Sequence, residues 1–171
     1  FLLALGFEKS KLHERIALKI ILLFGNTKRK LLFCVIVSTA FFSMWLSNTA
    51  TCLLMLPIIK SILESNFEKE KNLLFKKLLV LSIAYSASIG GMITPIGTIP
   101  NAVFIGFLSE NYDHNIDFLE WILFVSPIAI FLLVTLWLIF SFKIGNDTKK
   151  IKKENILKKY LALGSFSYEE K

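Results

Sequence analysis

The sequence predicts an all-α integral membrane protein, and three observations carry that reading. Its 171 residues are 54% hydrophobic and 13% aromatic with only 19% charged, which is too apolar at this length for a water-soluble domain. The charge is segregated, so that whole stretches carry none while Lys and Arg crowd the segments between them. Those uncharged stretches have the lengths of elements that enter or cross a bilayer. The net charge of +7 therefore belongs to loops at a membrane surface. No basic helix or aromatic-bearing sheet is free to receive nucleic acid, and no nucleic-acid partner is expected. Cys34 and Cys52 lie in one apolar run and read as small buried hydrophobes, because a disulfide framework or metal site needs more partners. Phe1 to Phe7 lacks the basic region of a secretory signal, and both ends of the chain read as cut.

Residues 1–30 are expected to hold the end of a transmembrane helix and then a cytoplasmic interfacial helix. In the latter, Leu12, Ile16, Ile20 and Leu23 repeat at helical spacing beside Lys11, Arg15 and Lys19. The alternative is an ordinary helix packed on a neighbouring domain. Leu31 to Ile59 carries no charge, exceeds the roughly 20 residues that span a hydrocarbon core, and falls short of the roughly 40 that two crossings need. Its flanks are both basic, with Lys28, Arg29 and Lys30 before it and Lys60 after it, so both ends belong in the cytoplasm. A re-entrant helical hairpin over 31–59 satisfies length and charge together, with its turn at Ser47-Asn48-Thr49, where the apolar pattern is interrupted.

Residues 60–77 form a cytoplasmic connector containing Lys69, Lys71, Lys76 and Lys77. Residues 78–109 then cross outward, because Glu110, Asp113 and Asp117 follow and no Lys or Arg appears until Lys143. Gly90, Gly91, Pro95, Gly97 and Pro100 are too dense a set of helix breakers for one continuous helix, which predicts a broken transmembrane helix. Residues 110–120 are the external loop. Residues 121–142 return to the cytoplasm, with Trp121 at the interface, Pro127 as a place to kink, and Lys143, Lys149, Lys150, Lys152 and Lys153 beyond. Residues 143–171 are a cytoplasmic amphipathic lead-in in which Ile156, Tyr160 and Leu163 share a face. Asn146-Asp147-Thr148 matches a glycosylation acceptor, but its lysine-rich setting is cytoplasmic and argues against use.

A hairpin tip and a helix break are the two places where backbone amides and carbonyls come free inside a membrane. Ser43, Ser47, the Asn48 side chain and the carbonyls around Gly97 offer oxygens to a hard cation without a buried carboxylate. The Asn48 amide, the Thr49 and Thr98 hydroxyls and two helix N-termini offer donors to an anion. On composition alone the same small polar residues serve equally well as hydrogen bonds between packed helices. An enzyme is disfavoured, because His13 and His114 fall on opposite sides of the membrane and no carboxylate lies within an uncharged stretch.

Two motifs carry a resemblance. Ser43-Met-Trp-Leu-Ser-Asn-Thr-Ala-Thr51, followed by Leu-Met-Leu-Pro57, resembles the first Ser-Asn-Thr motif of the divalent anion/sodium symporter family. Ala84-Tyr-Ser-Ala-Ser-Ile-Gly-Gly91 with Pro95-Ile-Gly-Thr-Ile-Pro-Asn101 resembles that family's broken fifth helix, and Glu8-Lys9 through Lys19 resembles the segment ahead of its inner hairpin. The resemblance implies an inverted-repeat transporter of which this chain is the first half, with 161–171 leading into the second. It implies sodium-coupled symport of a small divalent anion, most simply a C4-dicarboxylate such as succinate or malate, with citrate and sulfate as other family substrates. It further implies an elevator-like movement, a homodimer and, for a bacterial relative, the inner membrane.

By the same resemblance Ser43, Ser47, Asn48 and Gly97 correspond to sodium ligands, while Asn48, Thr49 and Thr98 correspond to groups that meet a substrate carboxylate. No cofactor besides the coupling sodium is implied. Ile99 stands where relatives commonly have a small residue or Pro, and its bulk is expected to narrow the anion pocket. The rival functions are a proton-coupled antiporter or oxyanion efflux transporter of related architecture, which sodium dependence separates, and a non-transporting membrane fragment, which binds neither ligand.

Overall fold

The computed structural model describes residues 12–66, 73–112, 114–145, 156–157 and 160–161. Glu8-Lys9, the Asn146-Asp147-Thr148 triplet and Leu163 lie outside these residues. The described residues are helical, without strands, in the order α1 (Leu12–Phe24), α2 (Lys28–Ser43), α3 (Asn48–Asn66), α4 (Leu73–Met92), α5 (Ile99–Tyr112) and α6 (Phe118–Ile144).

The centre of the fold is the pairing of α2 with α4, which the sequence permits through small residues. Ser82, Ser86 and Gly90 recur at every fourth position of α4, and all three are buried. A Cβ added at Gly90 would stand 2.6 Å from the Ala40 Cα of α2 and would run into the Ala40 carbonyl oxygen, so the two backbones touch there. The hydroxyls on these faces turn back onto their own helices: Ser38 donates to Cys34 O at 2.7 Å, Ser82 to Leu79 O at 2.7 Å and Ser86 to Ser82 O at 2.5 Å. These three hydroxyls are thereby satisfied without holding the helices apart.

Around this pair, α3 contributes Ile58, Ile59 and Ile62 to the core, and α1 contributes Ala17, Leu18 and Ile21. The stripe expected on α1 is rotated. Ile16 and Ile20 are half-buried and Leu23 is exposed, because α1 packs against both α2 and α3. Ile156 is also buried against the core, with Tyr160 packed beside it. Cys34 is buried and Cys52 half-buried, and neither is in a disulfide.

Among the described residues two helices, α4 and α6, are long and apolar enough to cross a membrane. They differ in surroundings: 44% of the most apolar window of α4 is buried by protein but only 6% of that of α6. Leu123, Phe124 and Phe131 of α6 are exposed, as side chains facing lipid would be. The helix starts at Asp117, whose N–H is accepted by the Glu120 carboxylate at 3.4 Å, runs through Pro127, and ends at Gly145, whose φ of 73° lies in the left-handed region. Two indoles tie α6 to the rest. Trp137 donates to Arg29 O at 3.3 Å and stacks edge-on against Phe33 at 5.7 Å, and Trp121 donates to Met92 O at 3.1 Å.

Candidate ion and anion site

The chain leaves helical geometry at 44–47 between α2 and α3 and again at 93–98 between α4 and α5. The first interruption precedes the position expected from the sequence, and local chemistry explains the shift. Ser47 caps α3, its hydroxyl accepting the Ala50 N–H at 3.3 Å and its carbonyl accepting the Thr51 N–H at 2.9 Å, so Asn48 and Thr49 become the first helical residues. The second interruption follows the glycine pair rather than containing it. Gly90 and Gly91 remain helical, and their lack of a side chain serves close approach instead of helix breaking.

The two interruptions touch. Thr94 Oγ1 donates to Met44 O at 2.5 Å, which links one directly to the other. A Cβ at Gly97 would stand 2.5 Å from Gly91 O and 3.0 Å from Ser43 O, and a Cβ at Gly91 would collide with Asn48 Oδ1. Ser43, the last residue of α2, is fully buried and donates to Ala87 O at 2.6 Å and to Asn48 Oδ1 at 2.9 Å. A serine hydroxyl has one proton, so it cannot satisfy both acceptors at full strength. One of these oxygens therefore keeps a lone pair for another positive partner.

Four helix ends meet at this point. α2 and α4 arrive with their C-termini, the ends of partial negative charge, and α3 and α5 leave with their N-termini, the ends of partial positive charge. An oxygen-rich, uncharged cluster beside two positive ends has the chemistry that suits a hard cation of low charge next to an anion.

Of the residues expected at the site, Ser43, Asn48 and Gly97 come together around Gly91. Ser47 is exposed and serves as the cap, Thr49 is exposed in the first turn of α3, and Thr98 is half-buried just ahead of α5. Ile99 is 80% exposed. Four participants were missed. The Ala87 carbonyl and Thr94 carry no signal in sequence beyond their place in the motif. The Gly90-Gly91 pair in an apolar run is itself a sign of close backbone approach. Asn101, an amide in the first turn of α5, is only 8% exposed and donates from Nδ2 to Gly91 O at 2.9 Å and Thr94 O at 2.8 Å.

Apolar helices long enough to cross a bilayer, and two helix interruptions joined through uncharged oxygens, have the make-up of a membrane transport protein. The sequence profile of the citrate transporter family matches residues 1–167, and the chain belongs to that family. It is a family of transporters rather than enzymes, and its membership bears out the resemblance carried by the two motifs. The chain is also 36% identical, over 181 aligned positions that include all of it, to the sodium-dependent dicarboxylate transporter SdcS of Staphylococcus aureus strain NCTC 8325 / PS 47. The same identity is found with SdcS of strains COL and MRSA252. The chain spans 35% of the length of these curated relatives.

Proposed function

We propose that the chain is the first half of a sodium-coupled symporter of a small divalent anion, with a C4-dicarboxylate such as succinate or malate as substrate. The observation that carries this reading is the contact between the two interruptions, where Ser43, Asn48, Gly91 and Gly97 converge without a charged side chain. It is supported by the similarity to relatives named as sodium-dependent dicarboxylate transporters. In this reading 31–59 is a re-entrant hairpin and 78–109 a broken transmembrane helix, with 60–77 cytoplasmic, 110–120 external and 143–171 leading to a second, inverted half. The complete protein is a multi-pass homodimer of a bacterial inner membrane and works by an elevator-like movement.

Ser43, Ser47, Asn48 and Gly97 contribute oxygens to sodium. The Ser43 proton stays with Ala87 O, which releases Asn48 Oδ1 to the cation. Asn48 Nδ2, the Thr49 and Thr98 hydroxyls and the free N–H groups that begin α3 then face the substrate carboxylate. A cation bridging tip and break fixes both backbones and adds positive potential where the anion must sit, so the anion binds after sodium and not before it.

Asn48→Ala in the intact protein tests the reading, because one amide serves both ligands. Sodium activation and substrate affinity should weaken together, by about 1 to 3 kcal/mol for a buried polar partner left unsatisfied. Unchanged values for both would return Asn48 to a helix-packing role.

A further inference from the structure

A helix that ends inside a membrane leaves its last carbonyls without intrahelical partners, and each must be satisfied or spent on a ligand. At the end of α4 the partners can be followed one by one. Gly90 O accepts the Ile93 N–H at 3.1 Å. Gly91 O accepts Asn101 Nδ2 at 2.9 Å, and Thr94 O accepts the same amide at 2.8 Å and the Gly97 N–H at 3.3 Å. Met92 O takes the Trp121 indole N–H at 3.1 Å, with Asn101 Nδ2 a distant 3.5 Å away. Two side chains thus hold three carbonyls across the break. One is from the start of α5 and the other from the first turn of α6, where Phe104 packs edge-on against the Trp121 ring at 6.2 Å.

We propose that Asn101 and Trp121 are positioning residues for the cation site. Asn101 clamps the end of α4 to the start of α5, and Trp121 clamps it to α6. The clamp matters to the site because Gly91 O, which Asn101 holds, is also the atom against which Gly97 packs, and Gly91 is the residue over which Asn48 Oδ1 rests. With either donor gone, a carbonyl at the negative end of α4 is set free close to the cation site, and the spacing between Gly91, Gly97 and Asn48 is no longer fixed. Neither residue touches the ions in this account. Each acts through the backbone that does.

The inference rests on the sodium site proposed above, and the two fail in different ways. The test uses the intact protein in proteoliposomes, with sodium varied in the outer solution, and compares the parent, Trp121→Phe, Trp121→His and Asn101→Ala. Trp121→Phe keeps a ring against Phe104 and removes only the N–H. The sodium concentration for half-maximal succinate uptake should rise about fivefold to tenfold in that variant, which is about 1 to 1.4 kcal/mol at 1.4 kcal/mol per decade. The substrate KM at saturating sodium and the thermal stability without sodium should stay near the parent values. Trp121→His, whose ring N–H can reach the same carbonyl, should recover part of the sodium affinity. Asn101→Ala should shift sodium activation further.

A parent without sodium dependence would sink the site proposal itself. A sodium-dependent parent whose activation curve is unchanged in Trp121→Phe, whatever happens to its stability, would overturn the positioning role. Because Trp121→Phe is conservative, that result remains readable even if Asn101→Ala does not fold.

Discussion

Gly90 and Gly91 are consecutive residues of α4 that meet different neighbours, so their alanine variants should fail differently. A Cβ at Gly90 meets the backbone of Ala40, which cannot yield without separating α2 from α4. Gly90→Ala should lower thermal stability by about 1 to 3 kcal/mol, the cost of overpacking a tight contact. A Cβ at Gly91 meets the Asn48 side chain, which can swing aside and in doing so leaves Ser43 Oγ. Gly91→Ala should therefore lose more sodium affinity than stability. Gly106 has nothing within 4 Å of an added Cβ, and Gly106→Ala should stabilise α5 by roughly 0.5 to 1 kcal/mol. Melting curves of the three variants with and without sodium separate these outcomes. If Gly90→Ala and Gly91→Ala lose stability and sodium affinity in the same proportion, the distinction between a packing glycine and a site glycine is wrong. At this scale the sequence was partly legible: Ser43, Asn48 and Gly97 could be picked out from a motif. Thr94, Asn101 and Trp121 could not, since their partners are backbone carbonyls with no mark in the sequence.

The elements were more legible than their ends. Segregated charge and uncharged stretches located α2 and α3 within about 31–59 and the break within 86–101, because those features follow from what lipid tolerates. The helices extend past the uncharged runs, α3 as far as Asn66 and α4 from Leu73, since lysines at helix ends reach toward water on their long stems. Positive-inside asymmetry then makes a testable statement about the elements. Single cysteines at the exposed positions Glu64 and Asn115, in a protein lacking Cys34 and Cys52, should react with an impermeant thiol reagent from opposite faces of the membrane. Glu64 should label from the cytoplasm and Asn115 from outside. Labelling of both from one face would remove the outward crossing of 78–109.

Across the whole molecule, α1 to α4 form a tightly packed body to which α6 is fastened by two indoles and by Leu136 and Phe140, while Leu123, Phe124 and Phe131 are exposed. Thr49 and Ile99, one beside each interruption, are both exposed. The narrowing expected of Ile99 therefore depends on the groups that face it from the second half proposed above. The same holds for the anion, since the two helix N-termini here offer donors to one carboxylate and a dicarboxylate has two. In the function proposed above, coupling joins these scales, because there a cation shared by tip and break makes the anion site. The most direct measurement is uptake of labelled succinate by the intact protein in liposomes, driven in turn by an inward sodium gradient and by a proton gradient of equal size. The account predicts concentrative uptake with sodium alone, weakened by Asn48→Ala. Equal uptake with protons in the absence of sodium, or uptake indifferent to Asn48, would contradict it.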